Sequence, residues 1–148
     1  MIPAALRAAC DSLCMKTLSL FLAGLVGLSA SSLLAADPPN PDAEKFLIPY
    51  EQVLKALVQE DLPAAKQAAH TLPDNAGSDI ENAKDLKAAR DAFHKVSETA
   101  VKMAGGVPGY HVFYCPMTKG NWTWVQQTTS IANPYMGKDM LTCGVEKK

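Results

Sequence analysis

The chain has 148 residues, 48% of them hydrophobic, and its 14 Lys and Arg nearly balance its 15 Asp and Glu. With no basic block and no interleaved aromatic run, this composition argues against a nucleic-acid partner, and no polybasic segment points to a membrane surface. The length allows one small domain with a modest core.

The N-terminus carries an export pattern. Lys16 precedes an apolar run from Leu18 to Leu28, small residues follow at Ser29–Ser32, and Ala35-Ala36 offers a cleavage site before Asp37. A basic start, an apolar core of about ten residues and a small-residue exit make a secretory signal peptide. A spanning helix needs about 20 consecutive apolar residues, and this run is shorter and interrupted by Gly and Ser. Residues 1–36 are therefore expected to be the signal, with residues 1–14 read either as an over-long start or as an extended basic region. Asp37 stands where a lipid-anchored chain would carry Cys, so no anchor is expected. Removing the signal takes away Arg7, Lys16, Asp11, Cys10 and Cys14. Residues 37–148 then carry 12 basic and 14 acidic side chains and two cysteines, Cys115 and Cys143. The expected location is the periplasm, where a cysteine pair can oxidise or meet metals.

In chain order, residues 41–104 read as helical and 105–148 do not. A first helix is expected from Pro41-Asp42 to about Glu60, with Phe46/Leu47, Tyr50, Val53/Leu54 and Leu57/Val58 on one face. Pro49 either kinks it or marks its start before Tyr50. Asp61 is the expected cap of a short helix to about Leu72, with Pro63 in its first turn. Pro73–Gly77 reads as a loop. Asp79 is then the expected cap of the longest helix, ending at Ala104 before Gly105-Gly106. Short strands are expected at His111–Tyr114 and Trp122–Val125, and turns at Asn133-Pro134 and Gly137. The expected fold class is mainly α: a small antiparallel helical hairpin or bundle, with an irregular, partly β C-terminal segment packed on it.

That segment holds both tryptophans, three of the four tyrosines and both remaining cysteines. It reads Tyr114-Cys115-Pro116-Met117, then Gly120-Asn121-Trp122 with Gln126, then Ile131-Ala132-Asn133-Pro134-Tyr135-Met136-Gly137-Lys138-Asp139-Met140 and Cys143-Gly144. This string resembles the signature of a bacterial family of periplasmic domains of unknown function, similar to segments attached to adaptor subunits of copper and silver efflux systems. The match in residues spans about Tyr110 to Gly144. Trp124-Val125 departs from the expected Trp-Leu-Gln, and Met136 stands where an aromatic residue is common. The resemblance implies a partner in heavy-metal efflux, an adaptor or another envelope protein.

Three chemistries fit the residues, one of them a redox role for free thiols. Thiolate and thioether donors are soft and select Cu(I) or Ag(I) over harder ions. Cys115 and Met117, two apart, would share a face of an extended strand, and Met140 and Cys143, three apart, would share a face of a helical turn. Cys115, Met117, Met140 and Cys143 are thus the candidate metal ligands, with His111 and Met136 as further candidates. Another is a structural Cys115–Cys143 disulfide, which would stabilise a small domain by about 3–4 kcal/mol. Trp122, Asn133, Pro134, Tyr135 and Gly137 are expected to be structural, the last four fixing a turn that positions Met140 and Cys143. His70 and His94 read as ordinary helix residues. No Gly-x-Ser-x-Gly, phosphate loop, His-Glu-x-x-His or Cys-x-x-Cys is present, so an enzyme is not expected.

Overall fold

The computed structural model describes residues 40–148; the expected signal peptide and its two cysteines lie outside the described residues. Four helices come first: α1 (Pro41–Val58), α2 (Leu62–Ala69), α3 (Ser78–Glu81) and α4 (Leu86–Ala104). Three short strands follow: β1 (His111–Tyr114), β2 (Thr123–Gln126) and β3 (Val145–Glu146). The class is mainly α with a small antiparallel sheet. Among the described residues no helix is long and apolar enough to cross a membrane.

Each main helix starts on a side-chain cap. Asn40 Oδ1 accepts from the Asp42 amide, Asp61 Oδ1 from Ala64 and Asp85 Oδ1 from Ala88, satisfying amides that have no partner in the first turn. Pro49 lies inside α1 and does not begin it. Proline removes one helical hydrogen bond, but Phe46 and Leu47 before it and Tyr50 and Val53 after it are all buried. Packing on both sides keeps the run helical. α1 closes with Glu60 in the left-handed region (φ 61°), the Asp61 amide donating back to the Ala56 carbonyl at 2.9 Å.

The single long helix expected from Asp79 is in fact two. α3 ends at Glu81, and α4 starts only at Leu86. Asn82 turns its amide side chain back to the Ser78 carbonyl at 2.9 Å, and Asp85 adopts an extended backbone (φ −151°) to cap α4. Asn and Asp side chains compete with the helical ladder for backbone groups, and two of them here outweigh the apolar periodicity. Ile80 and Ala83 nevertheless remain in the core. Gly77 is tight for a different reason: a Cβ there would sit 2.0 Å from the Ala69 carbonyl oxygen of α2.

α1 packs on both α2 and α4, and α4 packs on β2. The core stacks aromatic rings between these layers. Tyr50 of α1 lies on Phe93 of α4 with centroids 5.0 Å apart, and Phe113 of β1 lies on Trp124 of β2 at 5.5 Å. The Tyr50 hydroxyl is 2.8 Å from Ser97 Oγ and accepts the Val125 amide at 3.1 Å, so one buried phenol joins α1, α4 and β2. Burial raises its pKa far above the ordinary tyrosine value, outweighing the hydrogen bonds that oppose the shift.

β1 is the central strand, with the sheet order β2-β1-β3. Val112 faces Val125 and Tyr114 faces Thr123 on one side, and Tyr114 faces Val145 on the other. β2 begins at Thr123, one residue later than expected, and the Trp122 ring before it stacks on His94 of α4.

Candidate functional site

The register brings the two cysteines together. Continuing the β1–β3 pairing by one residue sets Cys115 opposite Gly144, so both sulfur-bearing segments leave the same end of the central strand. The Sγ atoms lie 3.8 Å apart across 28 residues of sequence. Both cysteines are free thiols in this structure. Cys115 is 0% exposed, whereas Cys143 is only partly buried. Burial first, then the hydrogen bond and charge of the Cys115 sulfur, push the Cys143 thiol above its ordinary value.

The Cys115 side is a turn and not a strand. β1 ends at Tyr114, and Pro116-Met117 lie in the following turn. Cys115 and Met117 therefore do not share a strand face as their spacing suggested; proline ends the ladder by removing a donor. Thr118 builds the turn: its hydroxyl donates to the Cys115 carbonyl at 2.9 Å and accepts the Trp122 amide at 2.8 Å. The Cys115 amide donates to the Trp122 carbonyl at 2.9 Å. Met117 is 65% exposed.

On the Cys143 side, a 3-10 turn over Lys138–Met140 continues to Cys143, whose amide donates to the Met140 carbonyl at 3.1 Å. Residues three apart eclipse in such a turn, so Met140 and Cys143 are close in space along the backbone. Met140 is 38% exposed.

Asn133 holds this segment in place. Fully buried, it accepts the Tyr135 amide at 2.8 Å and the Met136 amide at 3.3 Å on Oδ1, while Nδ2 donates to the Cys143 carbonyl. Its own amide donates to Leu141 at 2.7 Å. The Tyr135 hydroxyl reaches across to donate to the Thr123 carbonyl of β2 at 2.6 Å. Gly144 fits for want of a side chain: a Cβ there would approach Trp124 Cη2 to 2.6 Å.

His111 stands apart from the sulfurs. It opens β1, four residues and about 13 Å of strand from Cys115, and its Nδ1 is 2.8 Å from Glu146 Oε1. Met136 is partly buried against the core.

Three residues reach further than the sequence reading assigned them: Gln126, named only in the signature string, His94, read as an ordinary helix residue, and Arg90, which was not singled out. Gln126 is a buried hub: its Oε1 accepts Trp124 Nε1 at 2.8 Å and the Ala132 amide at 3.2 Å, and its Nε2 donates to the Thr128 and Ser130 carbonyls. Arg90 reaches from α4 to the Pro134 carbonyl at 3.1 Å and to Glu60 at 3.3 Å. His94 stacks on Trp122 with centroids 4.5 Å apart and planes within 9°. Its Nε2 is 3.7 Å from Glu98, and its buried Nδ1 has no hydrogen-bond partner among the described residues. His94, Glu98, Trp122, Asn121, Lys119 and Lys147 line an open cleft of about 580 Å³. The spacing of His94 and Glu98, four apart on one helix face, was the available signal.

For a metal, the donors are sulfur. The Cys115 and Cys143 sulfurs are in thiol–thiol contact at 3.8 Å, close enough for both to reach one ion. Among the described residues no three His, Cys, Asp or Glu side chains converge.

Comparison with known proteins returned no matching family model, curated protein or solved structure.

Proposed function

We propose that this chain is an exported periplasmic domain that binds or hands over a soft heavy-metal ion, Cu(I) or Ag(I), in connection with metal efflux or resistance, and is not an enzyme. The observation that carries the reading is the approach of the Cys115 and Cys143 sulfurs to 3.8 Å. Soft sulfur donors favour monovalent copper and silver; Met117 and Met140 stand two and three residues from the cysteines in exposed turns and would be the further thioether donors. The resemblance of residues 110–144 to domains attached to efflux adaptors supports the same reading and suggests such an adaptor as partner. The antiparallel helical hairpin expected from the sequence would serve as the scaffold against which the sulfur-bearing turns are set.

The test is a Cu(I) titration of the reduced protein, purified from the periplasm, under anaerobic conditions with a competing chelator. Tight 1:1 binding that is lost in Cys143→Ser and weakened in Met117→Ala plus Met140→Ala supports the proposal. Absence of tight binding by the reduced protein removes it.

The second reading is an envelope interaction module held by a Cys115–Cys143 disulfide, without metal. The same proximity favours it, because a bond there would staple the end of β1 to the segment before β3. Protein that is isolated with no free thiols, and takes up no Cu(I) after reduction, supports this reading over the first.

A further inference from the structure

The two thiols differ in access. Cys115 is sealed in the core, while Cys143 is only partly buried in the turn before β3. Neither lies within a helix or strand, so small backbone and rotamer adjustments can close the 3.8 Å gap to the roughly 2.0 Å of a disulfide. We propose that Cys115 and Cys143 undergo reversible thiol–disulfide exchange with a low-molecular-weight disulfide, and that this exchange switches metal binding off and on. This rests on the metal-binding reading above.

The chemistry needs two displacements and no metal. The Cys143 thiolate attacks one sulfur of R–S–S–R, forming a Cys143–S–S–R mixed disulfide and releasing RS⁻. The Cys115 sulfur then attacks the Cys143 sulfur and expels the second RS⁻, which takes up the proton that Cys115 loses. Two protein thiols are oxidised by two electrons, and one external disulfide is reduced to two thiols. The order follows access: the external disulfide reaches Cys143, and Cys115, held 3.8 Å away, resolves the adduct. The product retains neither thiolate, leaving the candidate thioethers of Met117, Met136 and Met140 as soft donors, so tight Cu(I) binding ends. A reductant restores both thiols.

The test uses the reduced, metal-free protein, treated anaerobically with oxidised glutathione, acid-quenched and mass-tagged at its remaining thiols. The expected product has no free Cys115 or Cys143 thiol and no retained glutathione, binds Cu(I) at least about tenfold more weakly, and recovers fully with dithiothreitol. Cys115→Ser is expected to retain one glutathione on Cys143, and Cys143→Ser to react at least about tenfold more slowly. A serine in the core can disturb folding, so limited alkylation of the wild-type protein gives a second reading, with Cys143 modified before Cys115. A persistent glutathione adduct on the wild-type protein, Cys115 modified first, or an oxidised protein that binds Cu(I) undiminished each overturns the switch and leaves metal binding standing. A reduced protein that binds no Cu(I) but still forms the disulfide overturns the metal reading and, with it, the switch.

Discussion

Asn133 holds Cys143 by its backbone: the carboxamide Nδ2 donates to the Cys143 carbonyl while Oδ1 accepts the Tyr135 and Met136 amides. Only an amide offers both a donor and an acceptor in that position. Asn133→Asp would turn a carboxylate oxygen toward the Cys143 carbonyl, and Asn133→Ala would leave three backbone groups without partners. Either substitution is expected to cost about 2–4 kcal/mol, since each unsatisfied buried group costs about 1–3 kcal/mol. Denaturant unfolding measures the loss, and Cys115 alkylation should accelerate in parallel. An unchanged midpoint for Asn133→Ala would show that the turn is held by other contacts.

Gly144 meets the face of Trp124. A methyl group there would lie 2.6 Å from Cη2 and 3.2 Å from Ile131 Cγ2, and neither ring nor β-branched side chain yields cheaply in a packed core. Gly144→Ala is expected to destabilise by about 1–3 kcal/mol and to shift the Trp124 emission. Stability equal to wild type would mean that the segment carrying Cys143 moves freely.

Tyr50 joins three elements through one hydroxyl. Tyr50→Phe preserves the ring stack on Phe93 and removes only the oxygen, leaving the Val125 amide and Ser97 Oγ buried without that partner. The expected loss is about 1–3 kcal/mol. A loss near zero in urea unfolding would indicate that water replaces the hydroxyl.

Glu60 supplies a pH dependence. The hydrogen bond from Arg90 is the largest influence and holds its carboxyl below the ordinary value of 4.5, with Lys138 adding in the same direction against some desolvation. A depressed carboxylate contributes stability that is complete above its unfolded value and fades as pH falls through the folded one. Wild type and Glu60→Gln should therefore differ most at neutral pH, and the difference should shrink below about 4.5. A gap independent of pH would separate Glu60 from Arg90.

Much of this architecture was legible from local chemistry. The caps at Asp61 and Gly105, the strand at His111–Tyr114 and the Asn133 turn follow from residue types with strong local preferences. The break between α3 and α4 was hidden, because Ile80, Ala83 and Leu86 keep helical spacing across it while Asn82 and Asp85 divert the backbone. The relation of Cys115 to Met117 was misread because spacing alone treats Pro116 as strand. The meeting of Cys115 and Cys143 depends on β3 pairing beside β1, a two-residue contact with no propensity signal of its own. The reach of Arg90 to Glu60 and Pro134 and the stacking of His94 on Trp122 were hidden for a similar reason, their partners lying 28 to 44 residues away; Gln126 bonds only within six residues, in an irregular segment whose path residue types do not set.

Each tryptophan lies beside one of the two cysteine-bearing segments. The Trp122 carbonyl accepts the Cys115 amide, and the Trp124 ring covers Gly144, the neighbour of Cys143. Trp122 is partly open beside His94, while Trp124 is fully enclosed, so their emission is expected to differ in wavelength and in access to quenchers. Oxidation or metal uptake that shifts the Cys143–Gly144 segment would therefore be expected to register first in the emission of Trp124, whose ring packs on Gly144.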